Sequence, residues 1–102
     1  MYKLEFYVPD GDLEPTLAAL FRAGAGRIGN YDSCCWMTRG TGQFRPLEGS
    51  APHLGRHGDL ERVPETKVEL VFAAELKRAV VEALLTHHPY ETPAYQILRV
   101  ET

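Results

Sequence analysis

The densest group of chemically active side chains is the segment His-His-Pro-Tyr-Glu-Thr-Pro at residues 87–93. Its two prolines restrict the backbone and so limit where the imidazoles, the phenol and the carboxylate point. His88 and Glu91 offer nitrogen and oxygen donors that suit zinc or copper. Two local ligands do not complete a structural zinc site, which needs four. A structural alternative stays open, because a histidine in the last turn of a helix interacts favourably with the helix dipole.

Two adjacent cysteines, Cys34 and Cys35, supply the only thiols of the chain. Neighbouring residues of a strand point to opposite faces, so a disulfide between these two would be strained. We therefore expect reduced thiols and a cytoplasmic protein. Cys34 would be a nucleophile if His88 lay beside it as a base. Cysteine is also among the residues most often buried and inert, and we favour inert packing over catalysis.

Two glycine-rich segments are candidates for binding an anion. Residues 40–49 would let backbone N–H groups approach a phosphate or carboxylate, and Arg39 and Arg45 could add charge-assisted hydrogen bonds. The alternative is a surface loop with solvated arginines. Residues 24–29 match G-x-G-x-x-G, but a dinucleotide fingerprint follows a strand and opens a helix. Here the order is reversed, so we interpret this segment as a turn.

The elements that must position these groups follow from hydrophobic periodicity. Leu4, Phe6 and Val8 alternate with polar residues and predict a first strand. A helix follows, with the Asp12 carboxylate as its amino-terminal cap and Gly24 as its left-handed stop. The remaining predictions are strands at residues 33–39, 67–72 and 95–100, a second helix at residues 75–87, and a long loop at residues 40–59.

The order β-α-β-β-α-β predicts an α+β, ferredoxin-like sandwich formed by one domain, residues 1–102. In such a fold an antiparallel sheet carries both helices on one face, and the other face meets solvent or a partner. Tyr7 and Val71 place apolar surface on that second face. We therefore expect a homo-oligomer that covers it.

Composition and charge exclude several classes of protein. The chain has 102 residues, with 11 basic and 14 acidic side chains, and a formal net charge of -3. Domains that bind nucleic acid usually carry the opposite sign, so no nucleic-acid partner is expected. No apolar stretch approaches the roughly 18 residues of a membrane span, so no membrane partner is expected. The amino terminus shows no apolar signal segment, which also favours the cytoplasm.

Three segments, in one order, resemble the inserted domain of the dinuclear-metal-centre hexameric family, often called YqfO-like. They are Ala-Gly-Ala-Gly-Arg-Ile-Gly-Asn-Tyr at 23–31, Gly-Thr-Gly-Gln-Phe-Arg-Pro-Leu-Glu-Gly at 40–49 and His-Pro-Tyr-Glu-Thr-Pro-Ala-Tyr at 88–95. Cys34 matches a cysteine three residues beyond the tyrosine of the first segment. The last segment also resembles the copper-tolerance family CutA. The chain looks like the insert domain standing alone, without the flanking segments that hold the two metals, so the cyclohydrolase activity attributed to the long proteins is not expected.

The resemblance implies a PII- and CutA-like fold that forms trimers, with ligand or metal clefts between subunits. It favours a cytoplasmic, non-enzymatic sensor or binding module for a small anionic ligand or a metal ion, zinc or copper. The residues that this hypothesis assigns are Cys34, His88 and Glu91 to the metal, and Asn30, Tyr31 and Arg45 to the ligand. One alternative is a small enzyme that uses Cys34 or His88. Another is a pure assembly module, in which Tyr90 and Glu91 bond across the subunit interface.

Overall fold

A four-stranded antiparallel sheet with two helices on one face makes up the fold. The computed structural model describes all residues, 1–102. The strands are β1 (Tyr2–Pro9), β2 (Trp36–Phe44), β3 (Glu61–Phe72) and β4 (Tyr95–Arg99), in the sheet order β2-β3-β1-β4, and the helices are α1 (Leu13–Arg22) and α2 (Lys77–His87). The predicted α+β, ferredoxin-like architecture is therefore confirmed. Neither helix has the length and apolar character needed to cross a membrane.

The hydrophobic core lies between the sheet and the helices. Leu4, Phe6 and Val8 of β1 are fully buried, and they alternate with half-buried residues as the period-two pattern predicts. The same face of the neighbouring strand adds Val68 and Leu70. The helices contribute Leu17, Leu20, Val80 and Leu84 to this cluster. Burying one such side chain stabilises the fold by roughly 1.5–3 kcal/mol, which holds both helices against the sheet.

The start of α1 differs from the prediction. The Asp12 side chain makes no capping hydrogen bond, because a short 3₁₀ turn at Asp10–Asp12 leads into the helix. Asp12 contributes its backbone carbonyl instead, which accepts a 2.8 Å hydrogen bond from the Thr16 hydroxyl. The end of the helix is as expected, since Gly24 has a φ of +98° and turns the chain back toward the sheet.

Strands β2 and β3 form a longer hairpin than the sequence predicts. The predicted strand at 33–39 lies instead at Trp36–Phe44, and β3 begins at Glu61 rather than at Lys67. Glycine and proline lower β propensity, but here the cross-strand pairing overrides that preference. Pro64 is tolerated because β1 ends opposite Glu65, so residues 61–64 have a neighbouring strand on one side only. The loop between the two strands is therefore residues 45–60.

The glycine-rich segment at residues 24–29 is a turn, as its place between a helix and a strand predicts. The Gly26 N–H donates to the Val71 carbonyl, and the Cys34 N–H donates to the Gly26 carbonyl, both at 2.8 Å. The next regular element is strand β2, not a helix. The segment therefore lacks the helix amino terminus that binds the pyrophosphate of a dinucleotide.

The second face of the sheet carries a cluster of charged side chains at its centre. The Lys3 ammonium lies 2.5 Å from the Glu69 carboxylate and 3.3 Å from that of Glu5. The hydrogen bond from Lys3 lowers the pKa of Glu69 and raises the pKa of Lys3. Tyr7 and Val71 lie on the same face, since they pair with Lys67 and Lys3 across β1 and β3, so the second face carries both the ion cluster and the predicted apolar side chains. Four of the large exposed apolar side chains lie in β2 or in the turn before it, namely Ile28, Tyr31, Trp36 and Met37.

Candidate functional site

His88 is a buried link between the end of α2 and strand β1. It is 5% exposed and has extended backbone angles, because Pro89 disfavours helical geometry in the residue before it. Its Nε2 lies 2.6 Å from the Tyr7 carbonyl, which can only accept, so Nε2 carries the proton. Its Nδ1 accepts a 3.1 Å hydrogen bond from the Tyr90 N–H. Neither nitrogen is left for a metal or for action as a base.

Burial also determines the charge of His88. It lowers the pKa of the imidazole, and the hydrogen bond to the Tyr7 carbonyl opposes that effect only in part. The ring therefore remains neutral at pH 7, in the tautomer that its two partners require. The arrangement makes His88 a structural residue within one copy of the chain.

Tyr90 and Glu65 form a hydrogen-bonded pair beside His88. The Tyr90 hydroxyl donates to Glu65 Oε2 at 2.6 Å, and the Glu65 side chain is nearly buried. Burial raises the pKa of Tyr90 far above its ordinary value, so the phenol remains a donor. Gly42 on the neighbouring strand makes room for this pair, because a Cβ there would overlap the Glu65 carboxylate. The Tyr90 ring also packs against the ring of Phe44, with 5.8 Å between their centroids.

The loop of residues 45–60 folds back over this pair and is held at several points. The Ala51 N–H donates to Glu91 Oε2 at 3.0 Å, which joins the loop to the segment after α2. Within the loop, the Gly58 N–H donates to the Pro46 carbonyl and His57 Nε2 contacts the Ser50 carbonyl, both at 2.7 Å. These bonds order a loop that has no helix or strand of its own.

A cavity of about 510 Å³ lies between this loop and the segment that leads into β4. We call it the loop cavity. Its lining includes the rings of Tyr7, Phe44 and Tyr90 and the carboxylates of Glu65 and Glu91. Arg45 and His53 also line it, and both side chains are exposed. Aromatic walls with a few polar groups are typical of small-molecule sites.

A second concave region, of about 530 Å³, lies beside the edge strand β2. Its lining includes Lys3, Ile28, Cys34 and Trp36. The Cys34 thiol donates a 3.5 Å hydrogen bond to the Asp32 carbonyl. Burial raises the pKa of the neighbouring Cys35 thiol, which keeps that thiol protonated. This region, which we call the edge cleft, is open to solvent in a single copy.

The six residues predicted for the site are divided between these two places. Arg45 and Glu91 line the loop cavity, and His88 lies beneath its Tyr90. Cys34 lines the edge cleft, and Asn30 and Tyr31 are exposed in the preceding turn.

The structure does not bring the predicted metal ligands Cys34, His88 and Glu91 together. No three His, Cys, Asp or Glu side chains of one copy are placed to hold a metal ion. Both nitrogens of His88 are already used. A closed zinc or copper site needs several donor atoms around one ion, and Cys34 and Glu91 lie apart in different regions. The residues of one copy therefore do not fit such a site.

Sequence reasoning missed Glu65, the most buried charged residue of the loop cavity. Glu65 is 25 positions from Tyr90, and neither residue signals the other in the sequence. The one available signal is Gly42, a glycine inside a strand, which indicates close approach by another group. The prediction of a loop at residues 40–59 leaves Gly42 outside any strand, so this signal does not apply to it at the level of sequence.

Comparison with known proteins shows similarity to segments of longer bacterial proteins. The chain is 46% identical over 99 residues to a Bacillus subtilis protein and 45% identical over 97 residues to one from Halalkalibacterium halodurans. Both are named GTP cyclohydrolase 1 type 2 homolog, and the alignments cover 97% and 95% of this chain. The chain spans only about a quarter (26%) of the length of these curated relatives. No protein-family profile matches it.

Solved structures of other proteins share the fold of this chain. A Bacillus cereus protein related to NIF3 matches with a TM-score of 0.84 and 40% identity, over 99% of this chain and 26% of that one. CutA1 from Pyrococcus horikoshii matches with a TM-score of 0.71 and 17% identity, over 100% of this chain and 85% of that one. Together with the residue pattern, these matches show that the chain is similar to one segment of the NIF3-related proteins and shares the fold of CutA.

Proposed function

We propose that the protein is a non-enzymatic binding module that works as a homo-oligomer, with its copies joined along strand β2. One observation carries this proposal, a group of exposed apolar side chains that we call the edge patch. Its members, with their exposed fractions, are Ile28 (55%), Tyr31 (74%), Trp36 (67%) and Met37 (48%). Trp36 and Met37 pair with Glu69 and Val68, so they lie on opposite faces of β2 and a partner at this edge would cover both faces. Large exposed apolar side chains mark a surface that binds another protein.

The edge patch continues into an unpaired strand edge. Strand β2 is hydrogen-bonded to β3 on one side only, and its outer N–H and C=O groups have no strand partner. A long exposed edge of this kind readily pairs with another chain. A second copy of this protein would bury the patch and satisfy that edge together. The resemblance to the CutA and PII fold implies a trimer. Separately, the reduced adjacent thiols support a cytoplasmic location.

Assembly would also close the edge cleft into a ligand site. Asn30, Tyr31 and Cys34 lie in or beside this cleft, so they would line a space between two copies. One structural neighbour, from Thermus thermophilus, is named a divalent cation tolerance protein. This name supports a divalent metal, zinc or copper, as the first ligand to test, with Cys34 of one copy supplemented by donors from another. A small anion remains the second choice, because the cleft also holds the Lys3 ammonium.

The oligomer is tested by measuring molar mass with light scattering. We expect a multiple of the 11.4 kDa chain mass for the wild type. Trp36→Glu and Met37→Glu should lower that mass, because each places a charge in the proposed interface. Leu85→Glu on α2 is the matched control, since Leu85 is as exposed as Met37, 48% in each case, and lies away from β2.

A wild-type mass of one chain at all working concentrations would contradict the proposal. An equal loss of mass in the Leu85→Glu control would move the interface away from β2.

A further inference from the structure

The loop cavity contains a buried carboxylate with no counter-charge. Glu65 is 8% exposed, and no lysine, arginine or histidine nitrogen lies within ion-pair distance of it. Its Oε2 accepts from Tyr90, while no side chain or backbone group of the protein donates to its Oε1. No enclosed side-chain oxygen of the chain lacks a hydrogen-bond partner, so Oε1 is reached by solvent. The second oxygen therefore faces the cavity as an acceptor that a ligand could use.

The surroundings show that this carboxylate is held in place. The Tyr90 hydroxyl fixes one oxygen at 2.6 Å, and the missing side chain of Gly42 leaves the space that the carboxylate fills. Pro9 of β1 and Gly40 of β2 pair with Glu65 across the sheet, so its backbone is fixed on both sides. A group positioned by three elements can select a ligand by geometry.

The remaining walls indicate the chemistry of that ligand. Rings of Tyr7, Phe44 and Tyr90 line the cavity, and aromatic faces attract cations. The two carboxylates, Glu65 and Glu91, outnumber the single guanidinium of Arg45. A planar group with two N–H donors can bond to a carboxylate in a bidentate pair. Such pairing and stacking suit a cationic amidine or guanidine, and they disfavour the anion for which Arg45 is a candidate ligand.

We propose that the loop cavity is a binding site for a small planar organic cation of the amidine or guanidine class, which pairs with Glu65 and stacks on Phe44 and Tyr90. The site lies within one copy of the chain, at the end of the sheet away from the edge cleft. It is thus separate from the site between copies, and it does not depend on assembly.

The test uses benzamidine as the probe, titrated into the full chain by calorimetry, with benzamide as its neutral isostere. We expect benzamidine to bind with a Kd below about 1 mM and benzamide to bind at least about tenfold more weakly. Glu65→Gln should weaken benzamidine binding by at least about tenfold, while its amide oxygen still accepts from Tyr90. Glu48→Gln is the control, because it removes an equal charge from the same loop outside the cavity lining.

Two other positions test the same site if Glu65→Gln does not fold. Gly42→Ala should weaken benzamidine binding because its methyl group displaces the Glu65 carboxylate, whereas Gly40→Ala has open space and should not. Arg45→Gln should raise the affinity for benzamidine, since it removes a competing cation from the cavity lining. No benzamidine binding by the wild type, equal binding of benzamide, or unchanged binding by Gly42→Ala and Glu65→Gln would overturn the proposal.

Light scattering on the same samples separates this proposal from the proposed assembly. An oligomer that does not bind benzamidine contradicts the loop-cavity site alone. A single chain that binds benzamidine through Glu65 supports the site and contradicts the assembly alone.

Discussion

At the residue scale, the His88 side chain connects parts of the fold through hydrogen bonds and is not free to bind a metal. Its donor and acceptor are both satisfied by backbone, at Tyr7 and Tyr90, so it joins three segments of the chain. Removing a partner from a buried polar group costs about 1–3 kcal/mol. We therefore attribute to His88 a contribution to stability rather than to chemistry.

The lowered pKa of His88 predicts a pH dependence of the free energy of unfolding. The folded protein disfavours the imidazolium, whereas the unfolded chain binds a proton near the ordinary pKa of 6.5. The free energy of unfolding should therefore fall as the pH drops below 6.5, until the pH passes the folded pKa. Urea unfolding of the wild type and of His88→Gln, between pH 7.5 and 5, measures this difference.

His88→Gln does not titrate, so its stability should lose this component of the pH dependence. His87→Gln provides the control, because His87 is exposed at the end of α2. If the wild type and His88→Gln show the same pH dependence, the neutral buried imidazole is ruled out.

At the element scale, the turn between α1 and β2 positions the edge patch. Gly26 brings this turn onto the sheet through its bonds to Val71 and Cys34. Its φ is +80°, and a Cβ there would come within 2.8 Å of the Cys34 carbonyl oxygen. Gly29 in the same turn also has a positive φ, +57°, but a Cβ there would meet open space. Replacing Gly29 therefore tests the left-handed backbone conformation alone, whereas replacing Gly26 tests that conformation together with a close contact.

Gly26→Ala should therefore destabilise the fold more than Gly29→Ala. The left-handed conformation alone costs an alanine roughly 1–2 kcal/mol, which is the whole expected effect at Gly29. At Gly26 the contact with the Cys34 carbonyl adds to that cost, because backbone atoms must move. Chemical denaturation of both variants measures the difference. Equal losses of stability would show that the close approach at Gly26 is relieved without cost.

At the scale of the whole molecule, the exposed surface is divided by chemistry. The centre of the open sheet face carries the charged cluster of Lys3, Glu5 and Glu69, while the edge patch at β2 is apolar. The loop cavity is formed by one copy, whereas the edge cleft is closed only if a second copy pairs with β2. A ligand at the edge cleft should therefore bind only to the assembled protein.

Zinc binding provides a test of this dependence on assembly. We expect metal-free wild-type protein to bind zinc in a calorimetric titration, and Cys34→Ser to bind it at least about tenfold more weakly. Met37→Glu should lose zinc binding together with its oligomeric mass, although it keeps every metal donor and lies outside the lining of the edge cleft. Zinc binding by a single-chain Met37→Glu would contradict a site between copies, and equal binding by Cys34→Ser would remove Cys34 from it.

The architecture could be predicted from local patterns, because alternation in β1 and helical spacing in α1 are signals carried by neighbouring residues. The length of the β2–β3 hairpin could not, since Gly42 and Pro64 oppose strand formation unless the facing strand is known. The same limit applies to the site. His88 and Glu91 were recognised as reactive groups by type, but their hydrogen-bond partners, Tyr7 and Ala51, are far away in the chain.

The sequence by itself therefore determined the order of the elements, the buried face of β1 and the inventory of reactive side chains, because these depend on residue type and short-range spacing. Only the tertiary structure decided which groups are free to act. It occupied both nitrogens of His88, separated Cys34 from Glu91, and left Glu65 buried without a counter-charge. These outcomes depend on contacts between residues that are distant in the chain. Such contacts form only when the sheet assembles, because buried polar groups must then find hydrogen-bond partners.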